Sequence, residues 1–189
     1  MKSKIETVYC RHGGERICQG DILNDFTYPE WISREGSKIK VKNRIMPFLI
    51  ILTQDCDLER DHVNRNTPKE MQKTQDKYLQ SILVCPGYYA EQFRNGEHLN
   101  KLGLTMEYQN KNKWKTIIQN DNPRYHFLGE CPKYQIPDLV IDFKHYYTVP
   151  IEILNTEINN HYVGTINELF RESLSQRFAH YLSRVGLPL

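Results

Sequence analysis

Thr53, Gln54, Asp55, Cys56 and Asp57 set a hydroxyl, an amide, two carboxyls and a thiol in five consecutive positions. Such a set offers Cys56 as nucleophile or metal ligand and Asp55 or Asp57 as base. His62 follows closely and adds a group that titrates near neutral pH. The competing reading is structural: aspartates at strand ends are ordinary turn and capping residues, and single cysteines are often just buried. Ahead of the cluster, residues 48–52 read Phe-Leu-Ile-Ile-Leu, approached by Lys42 and Arg44. A short apolar run with a basic approach and a polar exit is a buried strand that delivers functional groups to its end.

Three further groupings bear on chemistry. Cys10, His12 and Cys18, with Cys56, are zinc-type ligands, but their spacing is not that of a paired knuckle. Unrelated thiols beside a loop histidine are the better explanation of that spacing. Asp142 and Lys144 have the acid-x-Lys form of a Mg²⁺ nuclease, with Asp121 as a second acid and Asp138 too close to serve as one. Alternation on a half-exposed strand accounts for the same pattern. Arg124, Tyr125, His126 and Lys133, with Tyr88 and Tyr89, suit stacking on bases and contact with phosphate. Aromatic residues in strands more often pack a core.

The elements that must position these groups are read from patterning. Residues 20–23, 37–41, 48–53, 78–85, 114–119, 125–128 and 139–149 read as strands, with 25–36 a structured loop. The Pro86-Gly87 pair stops the fourth of these, and 88–94 is a short helix closed by Asn95-Gly96. Thr67-Pro-Lys-Glu70 and Thr165-Ile-Asn-Glu168 have the form of capping boxes. The second opens a helix with Ile166, Leu169, Phe170, Leu174, Phe178, Tyr181, Leu182 and Val185 on one face, ended by Gly186 and Pro188. The expected fold is α+β and β-rich, one domain over 1–189. Its barrel core covers about 1–60 and 78–150, its helical insertion about 61–77 and its C-terminal helix about 165–185.

Composition narrows the class. The chain has 189 residues, 39% hydrophobic and 11% aromatic, enough for a real core. A formal net charge of +2 permits nucleic acid without demanding it. The first residues lack a signal-peptide apolar stretch, no apolar run is long enough to span a membrane, and five cysteines without regular pairing suit a reducing compartment. The expectation is a cytoplasmic protein with no membrane association.

The order of Gly20-Asp21-Ile22, a loop, Lys42 and Arg44 leading through Pro47 into 48–53, then Ile82-Leu-Val-Cys-Pro86, resembles the PemK/MazF family of endoribonuclease toxins. The resemblance covers about the first 90 residues. It implies an SH3-like small β-barrel and metal-independent RNA cleavage without a cofactor. Arg44 would match the catalytic arginine, bracing a phosphate through two parallel hydrogen bonds. Arg44 and Pro47 are separated by Ile45 and Met46, where the family has the two adjacent, and Gly87 stands where a catalytic threonine is expected. The resemblance implies RNA as target and a protein partner, an antitoxin or a defence-complex subunit. The preferred site is Arg44 with Thr53, Asp55, Cys56, Asp57 and His62. A non-catalytic barrel adaptor and a Mg²⁺-dependent nuclease are the alternatives.

Overall fold

The computed structural model describes residues 8–72 and 74–184. Its frame is a long hairpin of β2 (Asp21–Glu35) and β3 (Lys38–Ile51), preceded by a two-residue strand β1 (Tyr9–Cys10). Gly36, at φ 61°, makes the reversal between Glu35 and Lys38. The expected loop at 25–36 is therefore strand, because the hairpin partner at 38–46 satisfies its backbone. Strand β4 (Ser81–Tyr89) continues the sheet beside Phe48–Ile51. Its other edge is shared, the first half pairing with β7 (Tyr147–Pro150) and the second with β6 (Leu139–Asp142). Strand β5 (Tyr125–Leu128) extends the β6 side, and β8 (Tyr162–Ile166) joins β1 to the opening residues of β2.

Every pairing is antiparallel, and the sheet, ordered β1-β8-β2-β3-β4-β6-β5 with β7 on β4, curls into a half-barrel. The apolar run of β3 explains why. Phe48 and Ile50 enter one core with Ile22, Ile141, Phe143 and Phe178, while Leu49 and Ile51 enter another with Leu23, Val84, Val149 and Leu154. A continuous run rather than an alternating one marks a strand covered on both faces. A third cluster, around Tyr88, Phe93, Leu99, Ile117 and Val140, packs outside it.

Among the described residues five α-helices accompany the sheet: α1 (Asp55–Asn66), α2 (Ala90–Asn95), α3 (Lys111–Ile118), α4 (Ile151–His161) and α5 (Glu168–Leu182). Here several expectations give way. Helix α1 starts at Asp55, with Asp55 and Asp57 in a first turn where carboxylates favour the helix dipole. Thr67 closes this helix, and the following Pro68 disfavours its continuation, so the first capping-box pattern marks an end, with one 3₁₀ turn beyond it. Residues 114–119, expected as strand, lie in or just after α3, because the Asn110 side chain accepts from the amides of Asn112 and Lys113. Strand β4 runs straight through Pro86 and Gly87.

The expected strand at 139–149 is broken at Phe143–His145, where the Asp142 carboxylate accepts from the Lys144 amide. Helix α4 was not expected at all. Thr165 belongs to β8, and Asn167 caps α5 instead. Of the expected α5 face, Leu174 and Phe178 are buried but Leu169 is 62% exposed. Val185, Gly186 and Pro188 lie outside the described residues. No helix among the described residues is long and apolar enough to cross a membrane.

Candidate functional site

Arg44 stands opposite Tyr28 in the hairpin, just before β3 enters the sheet. A cavity of about 340 Å³ opens there, walled by Tyr28, Arg44, Met46, His145, Tyr147 and the leucines at 99, 102 and 104. The Tyr28 and Tyr147 rings meet at 4.8 Å between centroids. Arg44 acts on the buried Tyr88 hydroxyl, drawing its pKa down against the larger effect of burial. That hydroxyl also lies 2.9 Å from His145 Nδ1. The Tyr147 hydroxyl is buried without a hydrogen bond. Burial pushes its pKa up, so it stays a phenol.

His145 sits where β6 gives way to β7 because Asp142 caps the intervening turn. Its Nε2 is 3.6 Å from Asp142 Oδ2. Burial lowers the His145 pKa; Asp142 opposes this, while Arg124, Arg44 and Lys144 reinforce it. The ring is therefore neutral at pH 7, able to accept a proton at one nitrogen while holding one at the other. His98 lies against Phe93 and Tyr88 at 4.5 and 4.7 Å, and burial, with a smaller contribution from competition with His145 for a proton, pushes its pKa down to about 4. A fixed guanidinium, a neutral imidazole and two facing phenol rings can bind a phosphate, position a base and move a proton.

Asp142 serves this site from behind. Arg124 Nε and Nη2 donate to its two oxygens at 2.8 and 2.6 Å, and the carboxyl is out of solvent. The acid-x-Lys pattern thus supports an internal ion pair, and Asp121 lines a different cavity, with Arg177 and His180. Of the expected nucleic-acid residues, Arg124 is held by Asp142 and Tyr125 packs edge-on against Phe93 at 5.0 Å. His126 is 6% exposed, with its pKa pushed down to about 3, so burial removes it from any surface path. Lys133 lies over the ring of Tyr134, which packs half-buried against the core.

The residues at 53–57 form no part of the Arg44 cavity. Ile51 lies seven residues along the extended strand from Arg44, roughly 23 Å away. The Thr53 hydroxyl accepts from the Leu83 amide at 2.7 Å, latching β3 to β4. Asp55 accepts from Arg16 Nη1 and Nη2 at 3.1 and 2.9 Å and from the Gln19 amide at 3.1 Å, with Arg171 at 3.6 Å. Cys56 is exposed, and its sulfur has weak contacts at 3.8 Å to Gln54 and Asp57. Asp57 is 3.8 Å from Arg60. His62 lines a separate cleft of about 510 Å³ with His12, Arg16 and Cys18.

His145, Tyr147 and Tyr28 escaped the sequence reading. They come from three elements, and their one shared signal, aromatic residues flanking strands, also describes ordinary core. No protein-family model matches the chain, and no curated protein does.

Proposed function

We propose that this chain binds RNA and cleaves it without a metal ion at the cavity between Arg44 and His145. The observation that carries the reading is Arg44 converging with a neutral histidine and the Tyr28–Tyr147 pair in one cavity on a curled antiparallel sheet. In this reading Arg44 braces the scissile phosphate, His145 takes the 2′-hydroxyl proton, and the Tyr28 and Tyr147 rings hold a base. The Tyr88 hydroxyl orients His145, as the carboxylate partner of a catalytic histidine does elsewhere.

The half-barrel is then an elaborated SH3-like barrel of the PemK/MazF kind, with Arg44 as its catalytic arginine, in a toxin–antitoxin or phage-defence setting. The hairpin adds support. Lys38, Lys40, Lys42 and Arg44 alternate along β3 and so share one face of the ribbon, leading to the cavity.

Labelled single-stranded RNA incubated with purified protein and EDTA tests the proposal. Cleavage that survives EDTA and falls at least about 100-fold in both Arg44→Ala and His145→Ala is the expected result. Intact RNA, or cleavage that needs Mg²⁺, sinks it.

A second reading, a non-catalytic adaptor that docks a protein partner, draws on the ribbon's opposite face. Ile32, Ile39, Val41 and Ile45 lie there with 53–70% exposure. Stable co-purification of a partner by a chain that leaves RNA intact, lost on Val41→Asp, would favour it.

A further inference from the structure

The loop between β1 and β2 gathers a second set of reactive groups, separate from the Arg44 cavity. Asp21 is shut away from solvent. Its Oδ1 accepts from Thr165 Oγ1 at 2.7 Å and lies 2.9 Å from His12 Nε2, and its Oδ2 accepts from the Cys18 amide at 2.7 Å. The ligand atoms of His12, Cys18 and Asp21 all lie within 4.8 Å of one another. Zinc bonds of about 2.0–2.3 Å put neighbouring ligand atoms roughly 3.3–3.8 Å apart in a tetrahedron, so shifts of an ångström or less convert this cluster to a coordination sphere.

We propose that His12, Cys18 and Asp21 form a binding site for a zinc-type divalent cation. One thiolate, one imidazole and one carboxylate favour zinc over the hard cations magnesium and calcium. The cleft that His12, Cys18, Arg16 and His62 line opens beside the cluster and gives an ion and a water access to it. Outer partners are already in place. Thr165 orients the Asp21 carboxylate, and the Tyr162 hydroxyl, 2.7 Å from Thr165 Oγ1, orients Thr165 in turn. The two nearby arginines do not repel the ion unopposed, because Arg16 and Arg171 are both drawn onto Asp55.

Loading the site moves protons. The Cys18 thiol, pushed up to about 11 by burial and by Asp21, gives up its proton as the sulfur–metal bond forms. At low pH a second proton leaves the His12 imidazolium, whose pKa the Asp21 hydrogen bond raises. The ring now accepts from the Gly14 amide at Nδ1, so metal at Nε2 requires a proton on Nδ1 and that amide to turn aside. Gly13, next to it, has open space where a Cβ would stand, and Gly14 is at φ 76°, so no side chain of either residue hinders that rotation. The charged and titratable groups facing His12 and Cys18 are Asp21, Asp55, Arg16 and, for Cys18, Arg171, with Glu15, Glu59 and His62 on the walls of the shared cleft. Each proton given up on binding makes the affinity rise with pH.

Cobalt(II) titration of the whole chain tests the site. The expected result is one equivalent bound, with the near-ultraviolet band of thiolate-to-cobalt charge transfer, displaced by zinc. Cys18→Ser abolishes the band and weakens zinc binding about 100-fold, His12→Gln weakens it about 10- to 100-fold, and Cys56→Ser changes neither. A wild-type chain with no charge-transfer band overturns the proposal, as does a band that survives Cys18→Ser and vanishes in Cys56→Ser. Circular dichroism melting establishes that Cys18→Ser is folded. Should it unfold, His12→Gln, at a part-exposed position, carries the comparison.

Discussion

Arg16 and Asp55 meet in a two-point ion pair, Nη1 to Oδ1 at 3.1 Å and Nη2 to Oδ2 at 2.9 Å. It ties the loop before β2 to the first turn of α1, and Asp55 also holds the Gln19 amide and faces Arg171. Asp55→Ala strands the Arg16 guanidinium, leaves Arg171 only Glu168, and is expected to cost about 2 kcal/mol in urea unfolding at pH 7. Cys56→Ser, one residue on and exposed, is expected to stay within about 0.5 kcal/mol of wild type. Burial pushes the Asp55 carboxyl up, but Arg16, the Gln19 amide and Arg171 together hold it below 3.8. Its folded pKa is thus depressed, so the stabilisation is complete above that ordinary value and fades as pH falls through the folded one. The gap between wild type and Asp55→Asn should therefore narrow only below about pH 4.

Gly87 occupies the position where the family resemblance expects a catalytic threonine. A Cβ there would stand 2.9 Å from Ile50 Cδ1 and 3.3 Å from Phe48 Cβ, inside the core. Gly87→Ala is expected to destabilise by about 1–3 kcal/mol through overpacking, and Gly87→Thr by more, since it also buries a hydroxyl. Neither raises RNA cleavage. A gain of activity in Gly87→Thr would show that this position opens onto the substrate after all.

Acid should loosen the fold through two histidines to which the proposed chemistry gives no proton-transfer role. His126 and His98 titrate at about 3 and about 4, burial being the first cause in both. Unfolded, each takes up a proton near pH 6.5, so the unfolded chain binds more protons between pH 6.5 and these lower values. Stability consequently falls with pH across that window. The loss from His126, which is buried, amounts to a few kcal/mol at most. Urea midpoints measured from pH 7 to pH 4 check this, and His126→Gln should flatten the curve. An equally steep curve in that variant would place the acid sensitivity elsewhere.

The apolar runs were legible because burial on both faces leaves a run of Phe, Leu and Ile with no alternation, as at 48–52. Asp142 and Arg124 were also visible as charged residues near strands, but their pairing required a register that places Tyr125 opposite Asp142. Helices α3 and α4 were missed for a local reason. Lys111–Ile118 is short, with a single buried residue, Ile117, so its period never emerges. Ile151–His161 begins directly after the expected strand at 139–149, with Pro150 at its N-cap and no capping side chain to mark the start. The cavity around Arg44 was half legible. The arginine stood out by its place before the strand, whereas His145 and Tyr147 reach it only because β7 pairs with the first half of β4. Asp21 was passed over as a mere strand residue, although it is the carboxylate that joins His12 to Cys18.

The basic face of the ribbon yields the last prediction. Lys38, Lys40 and Lys42 recur every two residues, about 6.6 Å apart along β3, and Arg44 continues the row to the cavity. That repeat is close to the spacing of phosphates on an extended single strand, so a bound RNA can lay successive phosphates along it. Each phosphate neutralised on a single strand contributes about 0.7 to the slope of log K against log salt. Lys40 spends part of its charge on Glu35, 2.6 Å away. Replacing all three lysines by alanine should therefore reduce the slope by about 1.4 to 2.1 and weaken binding at low salt without changing sequence preference. The three substitutions lie on an exposed strand outside the packed sheet, so thermal stability should hold. Fluorescence anisotropy with a labelled oligoribonucleotide at several salt concentrations measures both quantities. An unchanged slope would mean that the RNA, if bound, takes another route to Arg44.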